Sequence, residues 1–175
     1  SVPKQFALWR GKPVVRHSAE RLIEAKADIV MVIIPKDAEE AARASLRGLE
    51  RIRFVTGGAT RQASVLAGLE ALSDLAPQHV LIHDAARPDC PREVIDRLFA
   101  ALVEHPAAIP VLPVVDSLAV AASGLMVGSA DRERLRRVQT PQAFRYADIL
   151  AAHRSWSGEP VAGDDHIEDK GVQVF

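Results

Sequence analysis

The feature that most constrains the fold is a regular exchange of two periodicities, in which runs suited to buried strands alternate with amphipathic helical stretches. The run Ile29-Val30-Met31-Val32-Ile33-Ile34 is unbroken, mainly β-branched and stopped by Pro35. An apolar run of that length without a polar break suits a strand covered on both faces, so a central strand is expected there. On either side the period lengthens. Before it, Pro13 opens a helix on which Val15, Ala19, Leu22 and Lys26 recur until Asp28. After it, Asp37 is placed to cap a helix over 38–49.

The exchange continues downstream. Residues 52–55 read as a strand ending at Thr56-Gly57-Gly58, and a helix begins near Thr60 with Val65, Leu66, Leu69 and Leu72 as its apolar stripe. Residues 80–83 form the next buried strand. Pro91 is placed to start a helix running to about His105, and 108–112 make a further strand. This is the sequence form of βαβ units, so the expected fold class is α/β, with a doubly wound, mostly parallel sheet. Residues 114–127 break the pattern with two short extended segments around Ser123-Gly124, a hairpin signature. An arm projecting from the sheet at about 114–132 is expected. Residues 146–154 then read as a helix, 155–163 as a polar loop and 171–175 as the start of a strand.

A length of 175 residues fits a single domain over 1–175, and a net charge of −1 supplies no overall attraction for nucleic acid. Anionic ligands must therefore be held by local clusters. The apolar runs are far shorter than the roughly 20 residues of a membrane span, and no signal-peptide pattern opens the chain. No nucleic-acid or membrane partner is expected. Cys90 is the only cysteine, so neither an internal disulfide nor a CxxC site is available, which fits a reducing cytoplasm. The opening Ser1-Val2-Pro3-Lys4 lacks a methionine and reads as a chain entered partway through.

The strongest chemical signal is Val80-Leu81-Ile82-His83-Asp84-Ala85-Ala86-Arg87-Pro88. Ligands of open α/β sheets bind at the carboxyl ends of strands, which is where Asp84 falls. Its carboxylate is a hard oxygen ligand suited to Mg²⁺, a cation that takes its remaining ligands from phosphates and water. Ala85 and Ala86 let backbone approach a ligand, and Arg87 offers a fork of donors to phosphate. Composition alone allows an N-cap aspartate and a surface arginine equally. His83 reads as a packed strand residue. Thr56-Gly57-Gly58-Ala59-Thr60-Arg61-Gln62-Ala63-Ser64 joins a strand to a helix start whose N–H groups can face an anion or a base edge, or is simply a tight turn. Pro3-Lys4-Gln5-Phe6 can set a point charge on a polyphosphate, although terminal lysines are commonly just solvated. Residues 131–137, Asp131-Arg132-Glu133-Arg134-Leu135-Arg136-Arg137, read first as a solvent-facing helix and second as an anion site.

In this order the segments closely resemble the 2-C-methyl-D-erythritol 4-phosphate cytidylyltransferase family. The resemblance covers almost the whole chain. It rests on Pro3-Lys4-Gln5-Phe6, Gly57-Gly58 with Arg61, Ser64-Val65 and Gly68-Leu69, His83 to Pro88, Asp116-Ser117, Asp131-Arg132, and Thr140-Pro141-Gln142. It implies a Rossmann-like nucleotidyltransferase fold, CTP and a polyol phosphate as substrates, and Mg²⁺. Carried over by position, Lys4 is catalytic, and Gly58, Ala59, Ser64 and Ala85 bind CTP. Asp84 binds metal and substrate, Arg87 and Ser117 bind substrate, and Arg132 is both catalytic and substrate-binding. In the family the arm delivers its residues to a neighbouring subunit, which implies a homodimer. Ala59 stands where some relatives carry an acid. The family pattern places a Gly-rich loop with a further arginine before Ser1 and a lysine-bearing strand after Phe175. Gly163-Asp164-Asp165 resembles the family's acidic turn, with a shorter stretch after it at 166–170. The wording of 57–72 is similar to bifunctional forms in which a cyclodiphosphate synthase domain follows. Two alternatives stay open, a ribitol 5-phosphate cytidylyltransferase and a non-catalytic scaffold subunit of the same fold.

Overall fold

A computed structural model of the chain describes residues 3–156 and the backbone of 172–174. Expectations for 157–171, including the acidic turn, fall outside the described residues. A 3-10 turn at Lys4–Phe6 leads into a short antiparallel pair, β1 (Leu8–Trp9) and β2 (Lys12–Pro13), and then directly into α1 (Val14–Glu24). Next come β3 (Val30–Ile34), α2 (Glu39–Ser45), β4 (Ile52–Thr56), α3 (Arg61–Glu70), β5 (His79–Ile82) and α4 (Arg92–Ala101). They are followed by β6 (Ala107–Ile109), β7 (Val111–Pro113), the hairpin β8 (Ala119–Ala122) and β9 (Leu125–Ser129), and a 3-10 turn at Arg132–Arg134. The described chain closes with β10 (Arg136–Val138), β11 (Gln142–Arg145), α5 (Tyr146–Ser155) and β12 (Val172–Val174).

The larger sheet has the order β12-β6-β11-β5, and β3 pairs with β4 in a second, parallel sheet. Successive residues of a strand point to opposite faces, so their neighbours show which helix covers which face. Phe144 and Ala107 pack with Leu69 of α3 and Ile149 of α5, whereas the adjacent Ala143 and Ala108 pack with Leu98 of α4. On β3, Met31 joins the α3 and α5 cluster while Val32 joins Val15 and Ala19 of α1. Helices therefore cover both faces, and the fold is α/β and doubly wound. The buried Tyr146 hydroxyl donates to the Leu69 carbonyl at 2.9 Å, tying α5 to α3. Ile149 is fully buried between these helices, so Ile149→Ala is expected to lower unfolding free energy by about 2–5 kcal/mol, measured by urea titration.

Several local expectations need correction. Asp37 does not cap α2; its N-cap is Ala38, which makes no side-chain cap bond. Pro91 is the N-cap of α4 and not its first residue. The strand expected over 108–112 is divided at Pro110 into β6 and β7, which lie in different sheets. The stretch 131–137 is not a helix: only one 3-10 turn forms before the chain extends into β10 against β7. The expected doubly wound α/β class holds, with β11 running antiparallel to both its neighbours in the larger sheet. Among the described residues the only ladder of β3 is with β4, and Ile33 stays 37% exposed. The hairpin forms at the expected place, with Ser123 and Gly124 at φ 52° and 79°, the left-handed pair that a two-residue turn of this twist requires.

Candidate active site

The carboxyl ends of β3 and β5 open into one cleft of about 330 Å³, near the small end of the range for ligand pockets. Its walls include Gln5 and Phe6 from the first turn, Ile34 and Pro35 from the end of β3, and the whole turn from Asp84 to Arg87. Lys4 precedes two of these lining residues and is exposed, with no ion-pair partner among the described residues. The lysine-bearing turn and the aspartate thus border the same opening.

Asp84 stands two residues past the end of β5, after His83, and the Arg87 N–H closes the turn on the Asp84 carbonyl at 2.9 Å. The Asp84 carboxylate lies between two guanidinium groups, with Arg61 Nη1 at 3.1 Å and Arg87 Nε at 3.0 Å. Arg87 reaches on to the side-chain oxygen of Gln139. From the opposite side, Ser18 on the buried face of α1 lies 3.0 Å from the Ala85 carbonyl and 3.3 Å from that of Arg87. The backbone N–H of Asp84 donates to Thr140 Oγ1 at 3.2 Å. His83 Nδ1 sits 3.2 Å from the same hydroxyl, and its Nε2 sits 2.9 Å from the Arg87 carbonyl. Burial pushes the His83 imidazole below the ordinary histidine range, outweighing the raising effects of the Arg87 carbonyl and the Asp84 charge.

Packing, and not unusual backbone angles, demands the glycine pair. A Cβ on Gly58 would come within 2.5 Å of the Ala63 side chain, and one on Gly57 within 2.7 Å of Ser64 Oγ. The first turn of α3 packs directly on this loop. Thr60 caps it by accepting from the Ala63 N–H at 3.1 Å, while the Ser64 hydroxyl lies 2.8 Å from the Thr60 carbonyl and 3.2 Å from that of Gly58. Gly58 and Ala59 are exposed at the edge of this turn, and Arg61 links its helix to Asp84.

Ser117 and Arg132 form a separate group at the base of the arm. Arg132 Nη1 donates to the Val115 carbonyl at 3.1 Å, Ser117 is exposed nearby in sequence, and neither lines the cleft of its own chain. Sequence reasoning passed over Ser18, Arg61, His83, Gln139 and Thr140 as supports of the Asp84 turn. Ser18 did carry a signal, a hydroxyl set among Val15, Ala19 and Leu22 on an apolar helix face.

A donor-ringed acid at the strand ends, beside a glycine turn packed on a helix start, defines the class: a doubly wound domain of the nucleotidyltransferase type. The family model for 2-C-methyl-D-erythritol 4-phosphate cytidylyltransferase matches residues 1–174. The chain belongs to this family. It is 61% identical over 164 residues to a bifunctional enzyme IspD/IspF of Erythrobacter litoralis, covering 94% of the chain and 42% of that protein. It is 43% identical over 175 residues to the 2-C-methyl-D-erythritol 4-phosphate cytidylyltransferase of Cereibacter sphaeroides, covering 99% of the chain and 78% of that protein. The crystal structure of the Thermus thermophilus cytidylyltransferase superposes with a TM-score of 0.83 at 34% identity, over 100% of this chain and 84% of that one. The Anaerococcus prevotii synthase gives 0.88 at 26% identity, over 98% and 82%. The chain thus spans less than half the length of the bifunctional relative.

Proposed function

We propose that this chain is the cytidylyltransferase part of its protein, joining CTP to 2-C-methyl-D-erythritol 4-phosphate and releasing pyrophosphate in non-mevalonate isoprenoid synthesis. The observation that carries the reading is the shared cleft of the Lys4 turn and the Asp84–Arg87 turn, seen in a chain whose family is named for this reaction. An oxygen of the polyol phosphate would attack the α-phosphorus of CTP in line, and the bond to the pyrophosphate oxygen would break. A phosphate with a second pKa near 6 is already ionised at neutral pH, so no protein base is needed. The protein's part is positioning and charge neutralisation. Lys4 would face the charge developing on the α-phosphate, and Gly58, Ala59, Ser64 and Ala85 would hold the nucleotide. Arg87 would turn from Asp84 toward phosphate.

The donor set fits Mg²⁺. Among the described residues no group of three or more acidic, histidine or cysteine side chains gathers to cage a metal, whereas a single half-buried carboxylate at the cleft suits a cation that keeps phosphate and water ligands. Asp84 would hold it, exchanging one guanidinium contact for the ion. When bound, Mg²⁺ supplies neutralisation of the triphosphate charge. The test of the whole reading is pyrophosphate release with CTP and each polyol phosphate in turn. Turnover with methylerythritol phosphate supports it, turnover only with ribitol 5-phosphate moves the chain to the alternative substrate, and none with either favours the scaffold.

We further propose a homodimer in which Ser117 and Arg132 serve the partner's cleft. The support is the arm's surface: Val115, Val120, Leu125, Met126 and Val127 are all half or more exposed or close to it, more apolar area than a solvated ribbon ordinarily shows. Changing Val120 and Met126 together to aspartate would place uncompensated charges in that contact, each costing more than the about 1–3 kcal/mol of an unpaired neutral polar group. Sedimentation velocity is expected to show dimer dissociation at least about 10-fold easier in the variant. An unchanged dimer would remove the arm from the interface. No helix among the described residues is long and apolar enough to cross a membrane, and the reading places the enzyme in the cytoplasm with no nucleic-acid partner.

A further inference from the structure

We infer that His83, a residue with no role in the chemistry above, is a positioning residue that sets the Asp84 turn through Thr140 and Arg87. The inference rests on the proposed reaction for its kinetic consequence and on hydrogen-bond geometry for its structural one. Thr140 Oγ1 accepts from the Asp84 N–H at 3.2 Å, and among the described residues its own proton then has one acceptor in reach, His83 Nδ1 at 3.2 Å. His83 Nε2 is left to carry the ring proton and donate it to the Arg87 carbonyl at 2.9 Å. Each proton in the chain then has an acceptor, with the proton that faces the Arg87 carbonyl on Nε2.

The chain of bonds runs from the first residue of the turn, through a side chain on the segment before β11, through the imidazole, and back to the last residue of the turn. Asp84 and Arg87 are thereby held at both ends by one rigid ring, while the Ser18 hydroxyl holds the same turn from α1. Asp84 Oδ2 and Arg87 Nε, 3.0 Å apart, are the groups whose spacing this ring maintains. Outer groups that orient ligating residues commonly change affinity or activity by about 10–100-fold when removed. His83 is placed to act in that way without touching substrate.

The test uses the full-length protein with His83→Ala, His83→Gln and Thr140→Val. His83→Ala is expected to lower kcat by about 10–100-fold with the KM for CTP changed far less. His83→Gln, whose amide can still donate toward the Arg87 carbonyl, should recover part of that loss. Because His83 and Thr140 act through one chain, His83→Ala with Thr140→Val should lose little more than either alone. Hydrogen exchange supplies a readout independent of the reaction: protection of the Asp84 amide should fall in both single variants while that of β5 amides is kept. Wild-type kcat and an unchanged Asp84 amide in His83→Ala would overturn the inference, as would equal loss in kcat with the whole of β5 deprotected. If the parent protein turned over neither substrate yet His83→Ala deprotected Asp84 alone, the positioning role would stand and the assigned reaction would fall.

Discussion

Asp84→Asn is expected to lower kcat/KM for cytidylyl transfer on the order of 10²–10³-fold, about 2.7–4 kcal/mol of transition-state stabilisation, with the far-ultraviolet circular dichroism unchanged. The substitution keeps the side chain's shape and the backbone N–H that donates to Thr140, and removes only the negative charge. Two consequences follow from the geometry. The cleft loses its hard anionic ligand, so the Mg²⁺ concentration giving half-maximal rate should rise, since a neutral amide oxygen binds the ion more weakly. Arg61 and Arg87 lose the anion between them. Both arginines are roughly two-fifths exposed, so their loss of a partner should cost less than about 1 kcal/mol of fold stability. A large kinetic effect beside a small stability effect separates a ligand-holding acid from a structural one. Unchanged turnover and unchanged metal dependence would remove Asp84 from the site.

Lys4→Ala is the second large effect, with a fall in kcat again on the order of 10²–10³-fold and little change in melting temperature. Lys4 is exposed on a single 3-10 turn and supports no buried contact, so the fold has little to lose. In the proposed reaction, the charge developing on the α-phosphate loses its neighbouring cation. Lys4→Arg keeps the charge but replaces a compact ammonium with a planar fork, and should restore only part of the rate. The deficit should also appear as a weaker dependence of kcat/KM on ionic strength, because one positive charge no longer attracts the triphosphate. Full activity in Lys4→Ala would break the link between the first turn and the chemistry, leaving the Asp84 side of the cleft to be explained alone.

The two experiments probe the turn that carries Lys4 and the turn that carries Asp84, which meet at one cleft through Gln5, Phe6 and Asp84, and that pairing is a tertiary fact. Lys4 and Asp84 are 80 positions apart in the chain. What joins them is the packing of Phe6 with Val15, Ala19 and Ala85 around α1, which draws the first turn against the end of β5. The hydroxyl of Ser18 completes the junction from α1, beside that cluster. By contrast Ser117 and Arg132 stay on the arm, away from the cleft of their own chain, which is why their part in the reaction is proposed through a second copy.

Local sequence by itself determined the alternation of strands and helices, the Ser123-Gly124 turn of the arm, the glycine pair before α3 and the aspartate at the end of β5. Each is written in a few consecutive residues: a periodicity, a left-handed turn, a steric gap or a strand boundary. The partners of those elements were decided only by tertiary structure. The apolar run at β3 records that most of its side chains are covered, not whether a strand lies on each edge, because faces are covered by helices and edges by hydrogen bonds. β11 escaped notice because Gln142-Ala143-Phe144-Arg145 is short and carries no β-branched residue, yet burial between β5 and β6 makes it a strand. His83 and Thr140 belong to motifs visible in the sequence, but nothing in those motifs shows that the two side chains meet. Their meaning comes from distance alone, since hydrogen bonds that position a turn join residues which only the folded chain brings within reach.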